Sequence, residues 1–290
     1  METMKEGGKV AIITSGGGMK CAYSAGALVA LARELKIVDP DVFVAASGSV
    51  GSMFYYLAHQ YDDIEKAWTR YLPSREFIRY APFPALRINY LVDTISKQYL
   101  PLDVETVEAS RTRFFVPVTD THTGETKFIS NGMWLNPYEI IRAATAIPLL
   151  YNGHVALGGK SYLDGDFSAG MVDLIDTAIK AGATRILCIN NSDAPTKVGK
   201  AILRTYGALL RPGLRRALLR DMELGQTINW PDGIEFTLVS PTFTLPTVLY
   251  SRERRKVVEA FTMGYDDLLA KRDEIEALFR IAPARASVEA

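Results

Sequence analysis

Three short stretches of this chain carry residue types that can do chemistry together. Residues 42–51 read V-F-V-A-A-S-G-S-V-G, and an apolar run continues to residue 61. The pattern predicts a buried strand turning sharply into a helix. A serine at the tip of such an elbow stands clear of the backbone, and helix N-terminal N–H groups point toward any oxyanion formed beside it. In the G-x-S-x-G form of the motif, Ser49 takes the nucleophile position and Ser47 replaces the first glycine. Gly51 supplies the second, letting the helix pack close to the strand. Ser-Gly-Ser is equally ordinary N-cap or loop chemistry.

The second stretch follows an apolar run at residues 9–14 and reads S-G-G-G-M-K-C before an Ala/Leu-rich helical segment. Consecutive glycines leave main-chain N–H groups free to converge on an anion. Two anions fit. One is a dinucleotide pyrophosphate, as in an NAD(P)-binding oxidoreductase, with Gly16 and Gly18 in G-x-G-x-x-G spacing and Asp39 or Asp41 about twenty residues on. Against it, position 21 is Cys, and the strand that should end in the acid begins after it. The other is the oxyanion of acyl transfer, held by Gly16, Gly17 and Gly18. A glycine loop and a serine elbow on successive parallel strands would lie side by side at the C-terminal edge of a sheet. A dinucleotide would leave the second of them unexplained.

The third stretch, K-S-Y-L-D-G-D-F-S-A-G at 160–170, sets Asp164 after a short hydrophobic pair, with Asp166 and Asp173 as competitors. A serine needs a group to take its proton. The three histidines are poorly placed for it. His59 lies ten residues beyond Ser49 on what reads as one helix, roughly 15 Å along it. His122 and His154 sit in turn-like T-H-T-G and N-G-H segments. No histidine follows Asp164, so the order Ser, acid, His cannot run through it. Asp120 with His154 is a formal triad alternative; a Ser-Asp dyad is the simpler reading.

Helix patterns alternate with apolar strand patterns at 114–119, 127–130, 185–190 and 235–240. Helices are expected at 137–146 and 176–181, and a charged helical end at 251–279. That alternation predicts an α/β fold with a doubly wound, mostly parallel sheet between helical layers. Residues 61–105 leave the pattern, rich in aromatic residues and proline, and read as a helical excursion able to wall an apolar channel or to form a satellite core. At 290 residues, 48% of them apolar, the chain can bury a substantial core. Its 33 basic and 33 acidic residues cancel, leaving no global field for nucleic acid. Only Cys21 and Cys188 occur, which excludes a cysteine zinc site and points to a reducing, cytoplasmic setting. No apolar run reaches the length of a spanning helix. Basic residues among apolar ones over 197–220 read either as a solvated helix pair or as a peripheral membrane contact.

Taken in order, the Gly16-Gly17-Gly18-Met19-Lys20 loop, the Ser47-Gly48-Ser49-Val50-Gly51 elbow, the A-A-T-A-I-P helix end and the Asp164-Gly165-Asp166 turn resemble the patatin-like phospholipases. The likeness covers roughly residues 8 to 190 and implies a three-layer α/β/α domain over 8–280, with a C-terminal helical part at about 197–280. It further implies a serine lipid acyl hydrolase without metal or cofactor. By resemblance, Ser49 is the nucleophile, Asp164 the base and the glycine loop the oxyanion hole. Lys20 agrees with the family's usual basic residue, and Gly51 and Asp166 hold supporting positions. Ser47, Cys21 and Asp166 depart from the pattern. An acyl transferase or thioesterase on the same site, and a lipid-binding protein without catalysis, are the remaining alternatives.

Overall fold

A computed structural model describes residues 8–81, 86–133, 136–148, 150–151, 155–191, 212–214 and 232–280. The expected basic helix pair, His154 and the frayed tail fall largely or wholly outside the described residues. One mixed eight-stranded sheet organises the chain. Its strands are β1 Lys9–Thr14, β2 Val42–Ala45, β3 Arg113–Asp120, β4 Thr126–Ser130, β5 Val155–Leu157, β6 Lys160–Asp164, β7 Ala183–Ile189 and β8 Glu235–Val239. β3, β2, β1, β7 and β8 run parallel to their neighbours in that order, so the neighbouring-strand expectation for β1 and β2 is met. β4 and β6 both pair antiparallel with β3, and β5 extends β6.

The central strands are apolar on both faces because helices cover both. Ala11, Ile13, Val42 and Val44 pack with Leu174, Ile175 and Ala178 of a helix at Met171–Lys180. Ile12, Phe43 and Ala45 alternate to the other face and join a larger core. The helices there include α1 Ala22–Arg33, α2 Ser49–Leu57, α3 Tyr61–Lys66 and α5 Pro137–Ala144. In chain order α4 is Val104–Ala109, α6 the Met171–Lys180 helix, α7 Arg254–Leu269 and α8 Arg272–Phe279.

Several boundaries differ from the sequence reading. α6 begins five residues before the expected 176, because the Asp173 carboxylate accepts the Gly170 N–H at 3.0 Å and caps the helix there. Asp173, a competitor for the base, is thereby a cap. The elbow helix stops at Leu57 rather than running to residue 61, and His59 sits in the break with a positive φ of 58°. Its Nε2 lies 3.0 Å from Asp39 Oδ1 at the surface. The excursion contains two π-helical stretches, Ala67–Tyr71 and Tyr90–Tyr99, a rare geometry that recurs near functional sites. Trp68 Nε1 donates to Ser52 Oγ at 2.8 Å and Tyr55 Oη to the Leu100 carbonyl at 2.6 Å, pinning the excursion to α2. On its other side, Arg142 of α5 donates to both carboxylate oxygens of Asp93, at 3.0 and 3.1 Å.

Candidate active site

The register of β3 brings the reactive groups together. Val44 of β2 pairs with Phe115, and Asp164 of β6 pairs with Val118, three residues further along the same strand. Three residues beyond Val44 is Ser47. β2 ends just before it, and Asp164 comes up beside it in the antiparallel sense. Ser47 Oγ donates to Asp164 Oδ2 at 2.5 Å.

The elbow is a sharp strand-to-helix turn with its apex at Ser47. Ala46 N–H still donates to the Thr14 carbonyl at 3.1 Å, continuing the sheet ladder. Ser47 then takes a left-handed conformation, φ 50°, and Gly48 is already helical at φ −58°. A non-glycine residue held in that region costs of order 1–3 kcal/mol, a strain typical of catalytic turns. The N–H of Val50 donates to the Ser47 carbonyl at 3.0 Å and starts α2.

The expected partner of Asp164 was Ser49, and the geometry corrects it. Two residues along a helix rotate a side chain by about 200°, so Ser49 faces away from Ser47 and into the protein. It is 0% exposed, and its Oγ donates to the Ser15 carbonyl at 2.8 Å. Ser24 Oγ lies 3.0 Å away and Asn191 Nδ2 donates to it at 3.3 Å. Asn191 is the centre of this network. Its Nδ2 also donates to the Ser15 carbonyl at 2.6 Å, its Oδ1 accepts from Ser24 N–H, and its own N–H donates to Ser15 Oγ at 2.7 Å. A fully satisfied buried polar network fixes one arrangement; here it ties the end of β7 to the glycine loop and the elbow. Sequence reasoning missed Asn191, whose only signal was a polar pair closing an apolar strand.

Gly51 also needs correction. A Cβ there would meet nothing within 4 Å, so it does not serve close packing; it lines open space. The close approach belongs to Gly48, where a Cβ would lie 2.8 Å from the Gly18 carbonyl and 3.2 Å from Cys21 Sγ. Elbow and glycine loop are thus in backbone contact. Gly17 and Gly18 have φ of 137° and 56°, conformations that glycine adopts without penalty. Their N–H groups donate to no described residue, while Met19 N–H is taken by the Leu249 carbonyl at 2.9 Å. The first glycine, Gly16, makes room for a carboxylate instead, since a Cβ there would lie 2.4 Å from the Asp166 carboxyl carbon. Asp41, one of the two acids that the dinucleotide reading would need, accepts the Val10 N–H at 2.9 Å. Lys20 follows in a short 3-10 turn, its N–H donating to the Gly17 carbonyl at 3.1 Å.

Asp164 is 2% exposed. Its N–H donates to the Ala146 carbonyl at 3.2 Å, which ties the A-A-T-A-I-P segment to the site, and its carbonyl accepts from Thr119 Oγ1 at 2.7 Å. Gly165 is required next, since a Cβ would meet the Pro117 carbonyl oxygen at 2.0 Å. Burial pushes the Asp164 carboxyl well above the ordinary carboxylate range, and the negative charge of Asp166 pushes the same way. The Ser47 hydroxyl and the Asp166 N–H, 2.9 Å from Oδ1, favour the ionised form and work against that rise. Cys21 is fully buried, which raises its thiol far from reactivity. Asp120 accepts the N–H groups of His122 and Thr123 at 2.8 and 3.1 Å, and these hold its carboxyl below the usual range as a turn former. Among the described residues no cluster of potential metal ligands occurs, and no helix is long and apolar enough to cross a membrane.

From Ser47, Gly48 and Gly18 a narrow cleft runs beneath the excursion. Its walls are apolar: Ile64, Trp68 and Phe77, the π-helical Leu91 and Ile95, and Ile141 and Ile147 from the α5 end.

Comparison with known proteins agrees with this architecture. Over 193 residues the chain is 25% identical to the uncharacterized Escherichia coli (strain K12) protein YjjU, covering 63% of this chain and 52% of that one. It therefore spans about half the length of that curated relative. Human GIVD cytosolic phospholipase A2, solved with methyl gamma-linolenyl fluorophosphonate, superposes with a TM-score of 0.51 at 13% identity, over 94% of this chain and 58% of that one. VipD from Legionella pneumophila gives 0.47 at 12% identity, over 91% and 67%. These likenesses concern the fold. The model of the patatin-like phospholipases matches residues 12–172, more than half of the chain and the whole stretch from the glycine loop through the elbow to the Asp-Gly turn, and the chain belongs to that family.

Proposed function

We propose that the chain, as one unit over residues 8–280, is a serine acyl hydrolase that cleaves carboxylic ester bonds of lipids. Ser47 is the nucleophile in this reading and Asp164 the base. The observation that carries it is the 2.5 Å hydrogen bond from Ser47 Oγ, which lines an apolar cleft, to Asp164 Oδ2. The acyl chain lies in the cleft and presents its ester carbonyl to Ser47. Asp164, ionised, accepts the hydroxyl proton as Oγ attacks, and the oxyanion that forms is held by the open N–H groups of Gly17 and Gly18 in the Gly16–Gly18 loop. The tetrahedral intermediate collapses to an acyl-serine, with the proton passing from Asp164 to the departing alcohol. Water, deprotonated by the same carboxylate, then releases the fatty acid. A carboxylate is a weak base in water; its raised pKa in this buried position brings it closer to the pH at which it must exchange a proton.

The test is covalent labelling with a fluorophosphonate, the reagent class held by the structurally similar human phospholipase A2. Ser47→Ala abolishes labelling and turnover of an acyl ester. Ser49→Ala loses buried hydrogen bonds and some stability but still labels. The opposite pattern, labelling lost in a folded Ser49→Ala and kept in Ser47→Ala, overturns the assignment.

A further inference from the structure

The outer face of the excursion is built differently from its inner face. Two short segments around residues 77 and 87 are bridged at Ile78 and Leu86, with Arg87 N–H donating to the Phe77 carbonyl at 2.9 Å. Phe77, Leu86 and Ile88 turn inward and line the cleft. Arg75, Arg79 and Arg87 turn outward into a separate open pocket, which Arg252 completes from the segment ahead of α7. One carboxylate, Glu76, shares that pocket with four guanidinium groups. None of the four arginines forms an ion pair with a described residue. In a chain whose charges balance overall, that is a local concentration of unneutralised positive charge.

Apolar side chains stand exposed beside it. Tyr80 is 54% exposed, Val248 52% and Tyr250 47%. Tyr80 Oη donates to the Tyr250 carbonyl at 3.4 Å, and the Arg252 guanidinium stands 4.1 Å over the Tyr80 ring, so arginines and aromatics form one continuous rim. Leu249, between Val248 and Tyr250, turns the other way and lines the cleft beside Gly18.

We propose that this rim is the surface on which the protein lies against an anionic phospholipid bilayer. The arginines take lipid phosphates, for which the planar guanidinium is suited. Tyr80, Val248 and Tyr250 enter the headgroup layer, where amphipathic aromatic side chains settle. The cleft then opens into the lipid, one wall away from the phosphates. A soluble phosphate ester would use the arginines and leave the exposed valine and tyrosines without a role, which is why the bilayer is the occupant. The inference goes beyond the hydrolase reading and rests on it only for the direction in which the cleft takes its substrate.

The experiment is vesicle co-sedimentation of Ser47→Ala protein, so that binding is read without hydrolysis, on phosphatidylcholine alone and with phosphatidylglycerol added. At about 0.1 M salt the protein sediments with the anionic vesicles and is released near 1 M, where the Debye length falls to about 3 Å. Each arginine near an anionic surface contributes a factor of about five, so Arg79→Glu with Arg252→Glu weakens binding at least about 25-fold. Thermal midpoints close to the parent's show that the exposed substitutions leave the fold intact. As a second readout, Tyr250→Trp fluorescence shifts to the blue on anionic vesicles. Undiminished binding by the charge-reversed protein, equal binding to neutral vesicles, or glycerol phosphate binding without vesicle binding each overturns the proposal. Vesicle binding as expected, together with no fluorophosphonate uptake by the wild-type protein, would sink the hydrolase reading and leave this one standing.

Discussion

Asp164→Asn separates catalysis from folding at one atom. In the wild-type protein Oδ1 accepts the Asp166 N–H at 2.9 Å and Oδ2 accepts the Ser47 hydroxyl at 2.5 Å. Asparagine keeps both contacts: its amide oxygen takes the first, and its NH2 donates to Ser47 Oγ, since a hydroxyl also accepts. What disappears is the ionisable group. Burial raises the folded-state pKa of Asp164 above its unfolded value. The protein therefore has its full stability with respect to this group below the unfolded pKa of about 3.9, and loses it as pH climbs toward the folded pKa. Within that window the slope is about 1.4 kcal/mol per pH unit. At about 2 to 4 °C per kcal/mol for a large domain, the variant should gain roughly 3 to 6 °C on the wild type for each unit. The gain is absent near pH 4 and level once Asp164 is ionised. Paired melting curves from pH 4 to 8 measure it. Ester turnover by the same variant should fall about 10²–10⁴-fold through loss of the base. Parallel melting curves would show that Asp164 is not penalised by burial, and turnover within tenfold of wild type would remove it from the mechanism.

Gly48→Ala puts a methyl 2.8 Å from the Gly18 carbonyl, forcing the glycine loop off the elbow; turnover should fall by about 10²-fold, with about 1–3 kcal/mol of stability, and an unchanged rate would mean the loop does not hold the oxyanion. Asp166→Asn removes the negative charge that raises the Asp164 pKa, so the acid limb of the pH–rate profile should move to lower pH; no movement, or the reverse, would show that the two carboxyls do not interact in the working enzyme. Ile95→Trp fills the cleft wall and should lower kcat/KM for long-chain esters by tenfold or more while short-chain esters are spared, read from a chain-length series.

The fold was largely legible because its signals are local and repeated. Short apolar runs bounded by glycine or polar turns, at 9–14, 42–45, 114–119 and 185–190, read as buried strands, and the helical patterns after 9–14 and 42–45 set those two strands parallel. The misses had tertiary causes. β5 is three residues long, Val155–Leu157, and exists because β6 offers it an edge; nothing in V-A-L announces a strand. The start of α6 depends on the Asp173 cap, and the break after Leu57 on a left-handed His59 that no propensity requires. The two π-helical stretches likewise belong to the packing of the excursion. Its aromatic content suggested either a channel wall or a satellite core, and the molecule uses it as both: Trp68 is anchored to Ser52 and also lines the cleft.

The choice between Ser47 and Ser49 shows where spacing stops being informative. Both serines satisfy a small-x-Ser-x-small pattern: Ser47 stands between Ala45 and Ser49, and Ser49 between Ser47 and Gly51. The glycine at 51 favoured the second register, because a glycine in that position is expected to relieve helix-on-strand crowding. The relief occurs one residue after Ser47, at Gly48 against Gly18, and Gly51 faces open space. What separates the candidates is a backbone angle and a strand register. The left-handed φ of 50° turns Ser47 out toward the end of β6, where Asp164 arrives opposite Val118, and the rotation of α2 carries Ser49 inward to Asn191. Asn191 lies 142 residues beyond Ser49 and Asp164 lies 117 beyond Ser47. Each serine is therefore defined by a partner that only the closed sheet supplies. Ser49 holds the loop and elbow in register, and the strained Ser47, itself only 2% exposed, lines the cleft with a carboxylate at its hydroxyl.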